Sequence, residues 1–223
     1  MSRLLDPIDR LAETIFSILI LLSFTLAFRI IALGAEPSQP IPSSYVNELL
    51  ISAAGATLAW GIIDGIMYAL IAVFERGERH RLLANLQSAQ TMEEGVDIVA
   101  DEFDFMLEPI TSEAQRKMLY ADVFEHLREG KPQPVTLTRD DVVGGLGSVL
   151  VAVVAVLPSF VPFLLFHDNP ALAIRLSNVV SFVMLFIYGY QWGRHTGASP
   201  WKTGFLLAAI GAVMVLIAIP LGG

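Results

Sequence analysis

Five apolar runs, each long enough to cross roughly 30 Å of hydrocarbon, dominate this chain. Residues 142–166 and 203–223 hold no charged side chain, and 171–193 carries only Arg175 near its start. The run at 11–34 includes Glu13 and Arg29, and 47–74 has Asp64 well inside it. The expected fold is therefore all-α: a polytopic membrane protein with five transmembrane helices. Only 16% of the residues are charged, against about 25% in soluble chains, and mean hydropathy is +0.62. An ordinary soluble enzyme is excluded first.

Arg3 and Arg10 precede the first run as they would in a signal peptide. Asp6, Asp9 and Glu13 make that front end acidic, however, and Arg29 interrupts the apolar stretch. A retained helix fits better. The absence of cysteine removes disulfides, thiolate metal sites and thiol chemistry. A net charge of −8 argues against nucleic acid as a partner.

Orientation follows Lys and Arg. The 35–46 loop has none, whereas 75–141 has eight: Arg76, Arg79, Arg81, Arg116, Lys117, Arg128, Lys131 and Arg139. The amino terminus, this long segment and the 194–202 loop are thus expected in the cytoplasm, and the carboxyl terminus outside. The expected organisation is helices 1 and 2 over 1–74, a cytoplasmic acidic helical insert over 75–141, and helices 3 to 5 over 142–223. Prolines 132 and 134 close the insert, and Thr138 with Asp141 predicts a cap for the third span.

Residues 91–129 hold eleven Asp or Glu and three Lys or Arg, a local net charge of −8. Glu94, Asp97, Asp101, Asp104 and Glu108 step by three and four, so they share one helix face. Val96, Val99, Phe103, Met106 or Leu107, and Ile110 form a separate apolar stripe. Pro109 and the TSE at 111–113 predict a break and a second helix, in which Met118, Asp122, Glu125 and Glu129 step by four, three and four. A carboxylate stripe is often just a solvated face. Like charges one turn apart repel, and this stripe has no lysine interleaved, which points to divalent cations held by oxygen ligands, with a thioether or imidazole suiting Fe²⁺.

Asp64 stands about ten residues from the cytoplasmic end of its run, where a carboxylate costs about 2.5–3.5 kcal/mol on insertion scales. It reads as a functional residue on an ion or proton path, the plainer reading being a protonated acid in an interhelical hydrogen bond. Met67, one turn on, can lend a thioether, and Glu13 lies in the same half of the membrane. Arg29 reads as snorkelling to the outer headgroups. GGLG at 144–147 permits close helix contact, Pro158 and Pro162 free backbone carbonyls, and Asn178 reads as a helix-bridging side chain. Trp60 reads as packing. No nucleophile–base pair, HExxH or phosphate loop is present, so neither an enzyme nor an organic cofactor is expected.

Five spans with an acidic insert between the second and third resemble the vacuolar iron transporter family. The stretches that carry the resemblance are DPIDRLAETIFSILILLSF, LAWGIIDGIMYALIAVFERG, LTRDDVVGGLGSVLVAVVAVLPSFVPF, and the sequence from LSNVVSFVMLFIYGYQWGRHTG to the end. The chain looks like a divergent bacterial branch. The resemblance implies a homodimer in the bacterial inner membrane that exports Fe²⁺ or Mn²⁺ from the cytoplasm in exchange for protons. It implies a path at Asp64, Met67 and Glu13, and metal capture by Glu94, Asp97, Asp101, Asp104, Glu108, Met118, Asp122 and Glu125. The family's first-span Asp-Gly is absent here, Glu13-Thr14 standing nearest to it. The alternative is a membrane-anchored metal sensor or scaffold whose acidic helices bind metal or a basic partner.

Overall fold

Small and polar residues line the inward face of one long helix while its leucines face outward, unlike the leucine-rich core of a water-soluble protein. In α5 (Arg139–Leu165), Gly144, Gly145, Ser148, Ala152, Ala155 and Ser159 are buried. Leu146, Leu150, Leu157 and Leu164 of the same helix stand at least half exposed. Small residues let helix backbones approach, and lipid accepts the outward leucines.

The computed structural model describes residues 7–33, 44–132 and 134–218. The expected positions of Arg3, the 35–43 part of the outer loop and residues 219–223 lie outside them, as does the side chain of Arg29. The other helices are α1 (Pro7–Leu33), α2 (Ser44–Ser88), α3 (Met92–Leu107), α4 (Glu113–Arg128), α6 (Pro170–Thr196) and α7 (Pro200–Ala218). A 3₁₀ turn at Glu108–Ile110 joins α3 to α4, and no strand occurs among the described residues. Four helices, α2, α5, α6 and α7, are long and apolar enough to cross a membrane, as in an integral membrane protein. The 27 residues of α5 extend about 40 Å at 1.5 Å per residue.

The chain forms two compact units, one of residues 1–68 with 139–223, the other Ala69–Thr138. In the first, α1 packs against α5, α6 and α7 and is buried nearly all round, through Leu11, Ile15, Ile18, Leu21 and Leu22. A helix so enclosed by protein can carry polar groups that a lipid-facing helix could not. Thr25 Oγ1 donates to the Leu22 carbonyl at 2.8 Å and lies 3.4 Å from Asn178 Oδ1, so Asn178 does bridge helices. Ser177 donates to the Ser159 carbonyl at 2.7 Å, and the Ser159 and Ser181 hydroxyls meet at 2.9 Å. Gly197, at φ 75°, ends α6 in the left-handed region that favours glycine.

The second unit wraps the end of α2, with α3 and α4, around Leu86, Val99, Tyr120 and Phe124. Thr91 caps α3 and accepts from the Glu94 N–H at 3.2 Å, while Ser112 and Gln115 form a capping box for α4. Val96, Phe103 and Leu107 pack on the core, so Leu107 and not Met106 takes the inward place. Ile110 is 75% exposed, contrary to the expected stripe. The tighter 3₁₀ turn at Glu108–Ile110 rotates it out of the α-helical period.

Candidate functional site

Glu13 is the most deeply buried charged-type residue described, at 3% exposure. It sits on enclosed α1, where Ser17, one turn on, donates to its Oε1 at 3.3 Å. Its carboxyl hydrogen-bonds to that of Asp64 on α2. Asp64 in turn accepts from Ser148 Oγ of α5 at 2.7 Å. Three helices thus each contribute a polar group to one point in an apolar unit. A buried cluster of this kind is expensive to build without a use for it.

The geometry depends on two glycines. A Cβ built on Gly65 would lie 2.5 Å from the Gly145 carbonyl oxygen, and one on Gly145 would lie 2.5 Å from that of Gly65. The α2 and α5 backbones touch there, one residue from Asp64 and one turn from Ser148. The GGLG segment is therefore the contact that brings the Ser148 hydroxyl to the acid pair.

A hydrogen bond between two carboxyl groups needs a proton on one of them. The same four oxygens are hard ligands of the kind divalent cations take. Further along the same face of α2, Thr57 Oγ1 and Trp60 Nε1 are buried without a hydrogen-bond partner among the described residues. Buried polar atoms are normally satisfied, so these two, one and two turns from Asp64, are open to a hydrogen bond with water. Ser17, Ser148 and Thr57 escaped the sequence reading, and Trp60 was expected only to pack. The available signal was spacing by whole turns: Ser17 lies four residues from Glu13, Ser148 four from Gly144, and Trp60 and Thr57 four and seven from Asp64. Met67 is 45% exposed, one turn from Asp64 but on an open part of α2. A separate cavity of about 390 Å³ opens between α1, α5 and α6, with Arg10, Thr14, Gln191 and His195 in its wall.

In the second unit the carboxylate stripe divides. Asp104 is half-buried against α4, accepting from Tyr120 Oη at 2.8 Å and pairing with Arg116 Nε at 3.2 Å. Glu94 accepts from the Gln90 N–H at 2.8 Å, a helix-start contact. Asp97, Asp101, Glu108, Asp122 and Glu125 are exposed, and Met118 is 72% exposed. The stripe holds no lysine of its own, as expected, but Arg116 of α4 pairs with its Asp104, a relief that spacing within one helix does not reveal. Lys117 Nζ lies 2.8 Å from Glu113 Oε1. That hydrogen bond holds the Lys117 ammonium above its ordinary range, with Asp97 and Glu93 adding to it, and holds Glu113 below the usual carboxylate range. Burial first, then the bond to Asp104, pushes the Tyr120 phenol up. Among the described residues, no three Asp, Glu or His side chains converge into a group that could hold a metal ion.

Comparison with known proteins adds no assignment: no protein-family model matches the chain, and no curated protein matches it significantly.

Proposed function

We propose that this protein is a divalent-metal transporter of the inner membrane that exports Fe²⁺ or Mn²⁺ from the cytoplasm in exchange for protons. The observation that carries the reading is the Glu13–Asp64 carboxyl pair, buried at Glu13 and part-buried at Asp64, hydrogen-bonded together and to Ser148. Glu13 and Asp64 hold a proton between them when no metal is present. An arriving divalent cation takes their oxygens and displaces that proton, and returning protons release the cation. One pair of side chains thereby couples the two fluxes.

On this reading α1 is a fifth span, enclosed by the other four, with the amino terminus and the 75–141 insert in the cytoplasm. The exposed Asp97, Asp101 and Glu108 attract cations there, with Glu94, Asp122, Glu125 and Met118 adding further ligand atoms on the same insert. A full coordination shell is completed by a second copy of the chain, which is why the transporter is a homodimer.

The test is uptake of Fe²⁺ and Mn²⁺ into proteoliposomes across an imposed pH gradient, wild type beside Asp64→Asn. Metal movement that follows the gradient and stops with Asp64→Asn supports the exchanger. Transport at the normal rate by Asp64→Asn refutes the path. If neither ion moves while the insert still binds metal, a membrane-anchored sensor replaces the transporter.

A further inference from the structure

The second unit, acidic over most of its surface, contains one cavity with the opposite character. It has a volume of about 410 Å³ and is lined by Arg76, Arg79, His80 and Lys131, with Phe103 and Leu127 among its apolar wall. No carboxylate lines it among the described residues. A neighbouring cavity mixes Glu75, Glu78 and Glu102 with Arg79 and Arg81, so Arg79 borders both. The size falls within the range of small-molecule sites, about 300–1,000 Å³.

We propose that this cavity binds a phosphate ester that carries an apolar group, the cations taking the phosphate and Phe103 and Leu127 the apolar part. Guanidinium groups match phosphate oxygens in paired hydrogen bonds, and lysine adds a mobile point charge. Arg79 pairs with Glu75 at 3.7 Å, with both side chains more than half exposed. Such a pair contributes little and yields readily to a better anion. Arg76 follows the apolar run of α2 within a single turn, where basic groups meet the anionic headgroups of a cytoplasmic leaflet. The phosphate belongs either to a phospholipid headgroup or to a soluble phosphate ester, and the site does not depend on the transport reading.

The full chain in non-ionic detergent is titrated with dioleoylphosphatidylglycerol, dioleoylphosphatidylcholine and glycerol 3-phosphate, and bound adducts are read by native mass spectrometry. The same titrations are made on Arg79→Gln/Lys131→Gln and on Arg194→Gln/Lys202→Gln, which removes equal charge from the 194–202 loop. Phosphatidylglycerol is expected to bind more tightly than phosphatidylcholine. Losing two cations weakens it about 25-fold in the first variant, with little change in the second. Glycerol 3-phosphate binding with the same sensitivity assigns a soluble ester, and lipid binding alone assigns a headgroup. No anion preference, or equal loss in both variants, overturns the site. Should Arg79→Gln/Lys131→Gln lose its helicity, Glu75→Gln decides: it frees Arg79 and tightens binding severalfold if the site is real, and leaves binding unchanged if it is not.

Discussion

The hydroxyl of Ser148 lies 2.7 Å from Oδ2 of Asp64, a bond from α5 to α2 inside the first unit. Ser148→Ala removes that donor without adding bulk. A hydrogen bond to a charged group is worth about 1.5–3 kcal/mol, so metal uptake into proteoliposomes should fall about tenfold or more, with helicity by circular dichroism unchanged. An unaltered rate would mean that the serine only packs.

Thr57 offers a complementary case, since its buried hydroxyl has no partner among the described residues. Thr57→Val keeps the shape and removes the polar atom. A buried donor left unmet costs about 1–3 kcal/mol, so the variant should melt at a higher temperature than wild type while transporting more slowly. A variant that is more stable and equally fast would show the hydroxyl to be unused.

Gly65→Ala places a methyl 2.5 Å from the Gly145 carbonyl oxygen. The helices must part, at a cost of about 1–3 kcal/mol, and Ser148 is drawn from Asp64. Both thermal stability and uptake should drop. Gly55→Ala on the same helix meets nothing within 4 Å and should leave stability level or raised. Equal behaviour of the two variants would contradict the close crossing.

The long apolar runs and the carboxylate inside one of them were plain in the sequence, because lipid imposes length and penalises charge residue by residue. Asn178 was legible for the same reason. The partner of Asp64 was not, since Glu13 and Ser148 are joined to it only by how three helices cross, and composition carries no crossing angle. The stripe at Glu94, Asp97, Asp101, Asp104 and Glu108 shares one helix face by period. Its Asp104 is nevertheless turned to Tyr120 and Arg116, because the neighbour, not the helix, chose which acid to use. Ile110 fell out of the stripe for a local reason, the 3₁₀ turn that Pro109 joins.

Tyr120 makes the α3–α4 contact sensitive to alkali. Its phenol is pushed up by burial and by the bond it donates to Asp104. A raised folded-state value means that the stability it adds is complete below the ordinary tyrosine range, near pH 10, and is lost as pH rises through the raised value. The wild type minus Tyr120→Phe difference at 295 nm should therefore show one phenol ionising later than a free tyrosine, together with loss of helix signal. Ionisation at the ordinary pH with helix intact would contradict the buried bond.

The exposed carboxylates of α3 carry the last prediction. Glu94→Gln, Asp97→Asn, Asp101→Asn and Glu108→Gln together remove four charges, and glutamine at 94 still serves the helix start. Asp104 is left alone, so its bonds to Tyr120 and Arg116 hold α3 on α4. Affinity for hard cations follows the number of anionic oxygens. Mn²⁺ binding by the full chain, measured calorimetrically, should weaken by about tenfold or more, and uptake should need more metal to reach half its maximum while the maximum itself changes little. A fall in the maximum with unchanged binding would place these acids on the path and not at its entrance. Unchanged values of both would leave the stripe a solvated face, its charge answered by Arg116 and Lys117.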